Sequence, residues 1–525
     1  MRLGARPLAV LRQLVETPFA DRLELAAFSG LPDRTVYRAA ARLVRDGLAA
    51  WLPHATPLVP FTRRYYATPD GLRQLAFEQG MRPEDLLLDN PLSAEWQRAL
   101  LERLDGAAGI YRLAAAIAIE EGAVRFQWHR ALRLDASMAL PGGRSLGILR
   151  FGHTSDRTGA AKRVRNLLQG PLPGALLILM PDPVRLRHAQ RLLARAPVRV
   201  FLAVEGEAVG AEPESSVWHP PTIAADLGLR YVLTHLRPGG IVPAEPWHRK
   251  VLMPGDLALG DGDAETPQHL LTVLLKPAEK RTLDLVFDWP WVTSAQVAGM
   301  LGVNEERVLK VLARLGKFGL VAESAIEGMR RLTVTDRGLA WLGRRDRTLI
   351  SVLRDRWGAT LRDTAASHSW RDVAGRVTRQ LLRNLEHTDA VYGFMAKLAV
   401  WARSQGWEVV QMDPAFRASR YFSLHGHRYA VHPDAFGLLR QPGRDVPFFL
   451  EWERRAVRPV IMAERLAPYL RYFATRRPTD DHGARPELTV ILPDAVSASH
   501  FQRAAQAAMR RSRIVLPLRI VYPSR

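Results

Sequence analysis

Apolar residues near the start of the chain recur every three or four positions, a spacing typical of amphipathic helices. This pattern predicts three helices: Ala5–Glu16, Arg22–Ser29 and Asp33–Asp46. Alternating apolar and polar positions then predict the two strands of a hairpin, Ala49–Pro53 and Arg64–Ala67. Three helices followed by a hairpin are typical of a winged helix-turn-helix, a fold that can place its third helix in a DNA groove.

The third predicted helix has two different faces. Val36, Ala40, Leu43 and Val44 share one side at helical spacing, so we expect them to pack inward. The opposite side and the returning strand are rich in groups that bind phosphate or bases. We therefore predict a DNA-binding set made of Arg34, Thr35, Tyr37, Arg38, Arg42 and Arg64.

The same pattern occurs a second time. The segment from Gly30 to Gly47 matches the segment from Gly302 to Gly319 without a gap. The second copy predicts its own DNA-binding set: Arg307, Lys310, Arg314 and, on the returning strand, Arg330. Glu305 and Glu306 open its third helix, where acids disfavour DNA but are also favourable charges for a helix N-terminus. This copy therefore binds DNA more weakly or serves in dimerisation or packing, unless the acids act only on the helix.

The match continues beyond the hairpins, which predicts duplication of a longer unit. Leu104 and Tyr111 match Leu385 and Tyr392, and Leu179–Asp182 matches Ile491–Asp494. The fold class predicted is mixed α/β and α+β, with two winged helices that are each followed by an α/β domain. The predicted domains are a winged helix at 1–80, an α/β domain at 90–235, a linker at 236–278, a winged helix at 279–345, and a helical lead-in with an α/β domain at 346–525.

Acidic residues mark the second α/β domain. Asp434 lies at a strand end, and Glu451 and Glu453 alternate along the strand predicted at Pro447–Glu453, so both face one side. This layout resembles the restriction-endonuclease-like fold with its PD-(D/E)xK motif. The resemblance implies catalytic roles for Asp434, Glu451 and Glu453, with Asp434 and Glu451 binding Mg²⁺. Glu453 stands where Lys is commonest.

The first α/β domain departs from this motif. Asp135 matches Asp434, but Arg150 and Gly152 replace the two glutamates. A cation and a glycine cannot bind a metal, so we expect this domain to be degenerate, with Arg150 as a candidate phosphate contact. No metal or cofactor is firmly predicted for the chain, and Mg²⁺ is implied only if the second site is active.

A longer set of residues in the second half resembles the bacterial replication-relaxation family. The resemblance rests on Leu385–Val391, Pro433-Asp434, Phe449–Glu453 and a helix ending near Tyr469, within about 281–521. Members of that family are thought to bind DNA in replication, relaxation or transcriptional control, often on plasmids and other mobile elements. The first half is similar to a diverged copy that lacks these motifs.

Charge and composition narrow the class of partner. The chain has 525 residues, 74 basic against 53 acidic, a net charge of +21, and no cysteine. The preference for Arg over Lys is explained equally well by a GC-rich genome and by function. The excess of basic over acidic residues is better explained by a polyanionic partner. Disulfides and zinc–thiolate sites are excluded. Since no apolar run is long enough to span a bilayer, we expect no membrane partner and a cytoplasmic location.

These observations lead to a first hypothesis and two alternatives. The first is a protein that binds double-stranded DNA, acting in the replication, relaxation or transcriptional control of a plasmid or mobile element. One alternative is an Mg²⁺-dependent DNA nuclease that uses the second α/β domain, although an enzyme is the less favoured class. The other is an assembly scaffold whose winged helices bind the protein itself or other DNA-processing proteins.

Overall fold

Two groups of residues pack separately in the computed structural model of the chain. The first unit comprises residues 1–281, 317–319 and 337–353, and the second comprises 282–316, 320–336 and 354–525. Both contain helices and sheets, in agreement with the predicted mixed α/β class. The residues that the structure describes are 3–130, 133–223, 225–243, 251–259, 262–359, 370–453 and 459–522.

Three helices and a hairpin open the first unit. The helices are α1 (Ala5–Glu16), α2 (Arg22–Ser29) and α3 (Asp33–Arg45), and the hairpin strands are β1 (Ala49–His54) and β2 (Thr62–Ala67). Each predicted element is thus confirmed, with small shifts at its ends. A reciprocal cap fixes the start of α2: Asp21 accepts a hydrogen bond from the backbone of Glu24 at 3.0 Å, and Glu24 accepts one from the backbone of Asp21 at 2.8 Å.

Four helices connect this hairpin to a five-stranded sheet. They are α4 (Pro69–Gln79), α5 (Pro83–Asp89), α6 (Ala94–Glu102) and α7 (Leu104–Glu121). The strands are β3 (Arg125–Trp128), β4 (Ala136–Leu140), β5 (Arg144–Arg150), β6 (Ala175–Met180) and β7 (Arg199–Val204). They lie in sequence order, with β3, β4 and β5 antiparallel and β5, β6 and β7 parallel. The sequence pattern predicts a strand over 146–152, but β5 ends at Arg150, so Gly152 lies beyond the strand.

Side chains alternate between the two faces of this sheet. Met138 and Ile148 pack in the core that contains α1, α3 and α7, whereas Leu149 and Ile178 pack in a separate core on the other face. The remaining helices of this part are α8 (Arg157–Leu168), α9 (Pro183–Leu193), α10 (Glu205–Ala208), α11 (Leu229–Thr234) and α12 (Leu271–Leu274). The crossovers through α8 and α9 make the parallel pairing of β5, β6 and β7 possible.

A second set of three helices and a hairpin follows. It consists of α13 (Pro277–Asp288), α14 (Ser294–Leu301), α15 (Glu305–Lys317), β8 (Val321–Ile326) and β9 (Met329–Val334). The next helices are α16 (Asp336–Arg345), α17 (Ile350–Trp357), α18 (Arg376–Arg383) and α19 (Leu385–Ser404). Short 3-10 turns lie at Pro141–Gly143, Gln268–Leu270 and Trp370–Asp372.

The second unit ends in another five-stranded sheet with an additional hairpin. In chain order the elements are β10 (Glu408–Pro414), α20 (Ala415–Ala418), β11 (Arg420–Leu424), β12 (His427–Val431), β13 (Ala435–Gln441), β14 (Arg444–Trp452), α21 (Pro459–Phe473), α22 (Arg477–His482), β15 (Glu487–Ile491), α23 (Ala495–Ser512) and β16 (Leu518–Val521). The sheet order is β10-β13-β14-β15-β16, and the hairpin β11-β12 forms its own small sheet. The first three strands of the large sheet are antiparallel and the last three parallel.

Two strand predictions in this sheet need adjustment. The sequence pattern predicts a last strand over 514–521, whereas the observed strand begins at Leu518. β14 ends at Trp452, so Glu453 follows the strand directly, with its backbone nitrogen 2.9 Å from the carbonyl oxygen of Ile491. In the described part of the chain, no helix combines the length and apolar character that crossing a bilayer requires.

Candidate functional site

Helix α3 presents a basic surface. Val36, Ala40 and Leu43 are buried as predicted, because they face the core of the three-helix group. The predicted contact residues Arg34, Tyr37, Arg38 and Arg42 are exposed, and Thr35 is partly buried. Tyr37 retains half of its surface. The structure therefore places these side chains together on one accessible face.

Few acids offset the charge of this face. Arg42 lies 3.5 Å from Asp46 in an exposed pair, which contributes little because water screens it. Arg22 lies 3.9 Å from Asp33, and its guanidinium is 5.7 Å from the ring centre of Tyr37. Within the described residues, neither Arg34 nor Arg38 has an acidic partner within 4.0 Å. The face thus carries a net positive charge.

Arg64 does not fit the DNA contact that was predicted for it. Its side chain is fully buried, where it forms an ion pair with Glu24 and donates to the carbonyl oxygen of Phe19 at 3.4 Å. Burial raises the pKa of Glu24 to about 7, against the opposing effect of Arg64. Strand alternation turns the neighbouring Arg63 outward, 4.4 Å from the ring centre of Trp51. Arg63, not Arg64, is the accessible arginine of this strand.

Helix α15 carries both basic and acidic residues on its surface. Arg307 and Lys310 are exposed and Arg314 is partly buried. Lys310 forms an exposed ion pair with Glu306 at 2.7 Å. On strand β9, Arg330 is exposed and lies 3.8 Å from Glu323. All four predicted side chains retain some accessible surface, but two of them have acidic neighbours.

In the second unit, Asp434 and Glu451 lie next to each other in a hydrogen-bonded group. His387 on α19 places its Nε2 atom 2.9 Å from Oδ1 of Asp434. The backbone nitrogen of Trp452 donates to Oδ2 of the same carboxylate at 2.8 Å. Glu451 accepts a hydrogen bond from the hydroxyl of Tyr469 on α21. Burial raises the pKa of Glu451 to about 8, and the negative charge of Asp434 adds to this increase.

Glu453 has its own basic partner. It forms an ion pair with Arg465, one turn before Tyr469 on α21. Glu451 and Glu453 nevertheless line one small pocket, as strand alternation predicts, together with Arg465, Tyr469, Leu466, Leu488, Val490 and Phe501. The sequence interpretation missed Arg465 and Tyr469, although their spacing of four residues on the helix after the strand signals a shared face.

This arrangement does not fit a metal site. Both oxygens of Asp434 already accept hydrogen bonds, Glu451 favours the protonated form, and Arg465 neutralises Glu453. Mg²⁺ needs ionised oxygen ligands that are free to coordinate it. Among the described residues, no group of three or more His, Asp or Glu side chains is arranged to bind a metal ion.

In the first unit, Asp135 matches Asp434 and is paired with arginines. Asp135 forms ion pairs with Arg163 at 2.9 Å and with Arg347. Although burial alone would raise the pKa of Asp135, these two arginines hold it well below its usual range. Arg150, a candidate phosphate contact, instead pairs with Glu205 and lies 3.4 Å from Asp346. Its charge is compensated inside the protein.

Glycine at position 152 makes room for Asp346. A Cβ atom at this position would lie 2.2 Å from Cγ of Asp346, which is closer than atoms can approach. The backbone nitrogen of Thr154 donates to Oδ2 of Asp346 at 2.9 Å, and Thr154 and Thr348 share a side-chain hydrogen bond of 2.9 Å. The first site is therefore closed by residues 345–348, and the sequence offered no local signal for this long-range contact.

Comparison with known proteins identifies one similarity. Residues 283–488 match the family model described as Replication-relaxation. The matched region contains His387, Asp434, Glu451 and Glu453. It includes α14, α15 and the hairpin β8-β9, as well as strands β10, β13 and β14 of the sheet that carries the carboxylates. Searches of the curated proteins and of the solved structures found no match.

Proposed function

We propose that this chain binds double-stranded DNA through helix α3 and acts in replication, DNA relaxation or transcriptional control on a plasmid or mobile element. The observation that carries the proposal is the exposed basic face of α3, with Arg34, Arg38 and Arg42 beside Tyr37. Arginine forks bind phosphate and guanine edges, and Tyr can bind either phosphate or a base. The family match supports a role related to replication.

The proposal includes a winged helix-turn-helix at the start of each of the two copies. It is supported by the common order of three helices and a hairpin in residues 5–67 and 277–334. Within it, α3 enters a major groove and the hairpin β1-β2, with Arg63 outward, contacts the neighbouring backbone. Arg63 thus replaces Arg64 in the proposed contact set, because Arg64 is buried.

We also propose that the two halves arose by duplication. In support, the two large sheets share one pairing scheme, three antiparallel strands followed by parallel ones, and each follows a long helix, α7 or α19. On this proposal, both halves contain a restriction-endonuclease-like domain whose residues do not bind a metal ion. In the first half Arg150 and Gly152 replace two of the ligands and Arg163 pairs with Asp135, and in the second half His387 contacts Asp434 and Tyr469 donates to Glu451.

A second function, protein binding, is favoured for α15. Leu309 is about half exposed on this helix, and Glu305 and Glu306 lie beside it. An exposed leucine among paired charges suits a protein partner better than a phosphate backbone. We propose that α15 contacts a second copy of the chain or another DNA-processing protein. If so, Leu309→Glu should lower the self-association measured by sedimentation, and unchanged association would exclude a contact between copies at α15.

The main proposal is tested by a mobility-shift measurement with duplex DNA. The variant Arg34→Ala/Arg38→Ala/Arg42→Ala should bind at least about tenfold more weakly, because each phosphate contact contributes to affinity. The matched control is Arg73→Ala/Arg82→Ala/Arg98→Ala, which removes three exposed arginines of the same unit outside α3. Equal losses in the two variants would show that net charge, and not α3, determines binding.

A further inference from the structure

The hairpin β11-β12 is an addition to the second sheet. Residues 415–434 connect β10 to β13, whereas residues 129–135 connect the matching strands β3 and β4. Its turn consists of His425 and Gly426, both with positive φ, at 49° and 78°. Two such residues form the tight turn whose twist matches that of paired strands, so the hairpin is a defined ribbon and not an open loop.

One face of this ribbon is anchored to the domain. Phe422 is buried, and its ring centre lies 5.3 Å from that of Tyr472 on α21 and 5.8 Å from that of Tyr429. At the base, the buried guanidinium of Arg420 lies 4.8 Å from the ring centre of Phe436 and donates to the carbonyl oxygen of Arg417 at 2.7 Å. These contacts hold the ribbon in a fixed orientation.

The other face presents an aromatic ring, a cation and polar groups to solvent. Tyr421 is 63% exposed, and Ser423 and Arg428 are exposed partners across the two strands. The ring of His432 contacts that of Tyr421 edge-on, with centres 5.8 Å apart. An exposed tyrosine beside an arginine and histidines is an arrangement that stacks on bases and binds phosphates.

Charge around the ribbon favours a polyanion. From Pro414 to Pro433 the sequence contains three arginines and three histidines but no aspartate or glutamate. Of the arginines, Arg428 is exposed, whereas Arg420 is buried and Arg417 forms an ion pair with Asp288. Arg471 on α21 adds a further cation, 5.0 Å from the ring centre of Tyr429. Each acidic residue in this segment would repel a nucleic-acid strand, so binding of nucleic acid explains why the segment has none. A protein partner would not require this absence.

We propose that the exposed face of β11-β12 binds single-stranded DNA. The bases of a duplex already stack on one another, so an exposed ring on a flat ribbon stacks more favourably on unpaired bases. Asp434 follows His432 by two residues, so the Cα atoms of these two residues lie within about 7 Å of each other. The ribbon belongs to a different unit from α3, and this proposal stands independently of duplex binding by that helix.

The test compares affinities of the full chain for an oligo(dT) strand and for a duplex of equal length at one salt concentration. Tyr421→Ala/Arg428→Ala should weaken oligo(dT) binding about tenfold and leave duplex binding unchanged. The matched control is Tyr231→Ala, since Tyr231 is half exposed and stacks on His235 in the first unit. Tyr421→Phe retains the ring and should preserve most of the affinity for oligo(dT). This variant shows whether the loss in the double variant arises from misfolding.

Three other outcomes of this experiment would overturn the proposal. Wild-type protein without measurable oligo(dT) binding would overturn it, and so would a Tyr421→Ala/Arg428→Ala variant with wild-type affinity. Equal losses for oligo(dT) and duplex would show a contact with phosphates that does not depend on unpaired bases. If only the α3 variant loses affinity, and only for the duplex, then α3 binds DNA and the ribbon does not.

Discussion

Arg64 and Glu24 form an ion pair that is fully buried inside the first group of three helices and a hairpin. Arg64→Ala should therefore lower the free energy of unfolding by about 3–5 kcal/mol, because it removes the buried partner of Glu24 and leaves only the longer contact with Arg112, at 3.6 Å. Chemical denaturation of the full chain measures this effect. Arg63→Ala, one residue away and exposed, should change stability by less than about 1 kcal/mol. An Arg64 variant with wild-type stability would show that the pair is not formed.

The close contact at Gly152 gives a second prediction. Gly152→Ala should destabilise the first unit by about 1–3 kcal/mol, because its Cβ atom would collide with the side chain of Asp346. The loss is measured as a lower unfolding temperature. Gly210→Ala is the control, since a Cβ atom at that position meets no heavy atom within 4 Å. Equal melting of the two variants would contradict the placement of Asp346 against Gly152.

Glu451 makes stability depend on pH in a defined direction. Its pKa is raised to about 8 in the folded chain from an ordinary value of 4.5, so the folded state binds the proton more tightly than the unfolded state. The resulting stabilisation is fully present below about pH 4.5 and is lost as pH rises through about 8. Its size is about 1–3 kcal/mol, with allowance for partial exposure to water.

Glu451→Gln should remove this dependence. The amide is neutral at every pH and can still accept from Tyr469, so the variant should be more stable than wild type at pH 9 and similar at pH 5. Unfolding measured across this range tests the difference. Glu464→Gln changes an exposed glutamate on α21 and should follow the wild-type profile. Parallel profiles for wild type and Glu451→Gln would disprove the assignment.

Divalent metal should have little effect on this protein. Because the oxygens of Asp434 are hydrogen-bonded and Arg465 neutralises Glu453, millimolar Mg²⁺ or Mn²⁺ should leave the melting temperature unchanged. Supercoiled plasmid should remain intact in its presence. A rise in melting temperature that Glu451→Ala abolishes and Arg150→Ala preserves, or Mg²⁺-dependent nicking, would instead support the nuclease hypothesis.

Local elements could be predicted from the sequence because their patterns are short. The spacing of Val36, Ala40 and Leu43 was enough to orient α3, and alternation placed Glu451 and Glu453 at one pocket. Alternation also required Arg63 and Arg64 to face opposite ways, but it did not decide which one is buried. Arg64 is the buried arginine because it pairs with Glu24, which is buried beside the same strand.

Contacts between distant residues could not be predicted. Asp346 lies far along the chain from Arg150 and Thr154, and only the folded backbone brings them together. In the same way, the pattern that identified Glu453 gave no indication that Arg465 would neutralise it. The sequence therefore indicated a carboxylate site, while the partners that decide its chemistry depend on tertiary packing.

Binding of duplex DNA by α3 is the central claim, and its salt dependence tests it most directly. Each phosphate neutralised by the protein contributes a slope of about −0.9 to the logarithm of affinity against the logarithm of salt concentration. Wild type should show a steep negative slope, and Arg34→Ala/Arg38→Ala/Arg42→Ala should flatten it by about 2–3. A slope unchanged by these substitutions would contradict the assignment of DNA binding to α3.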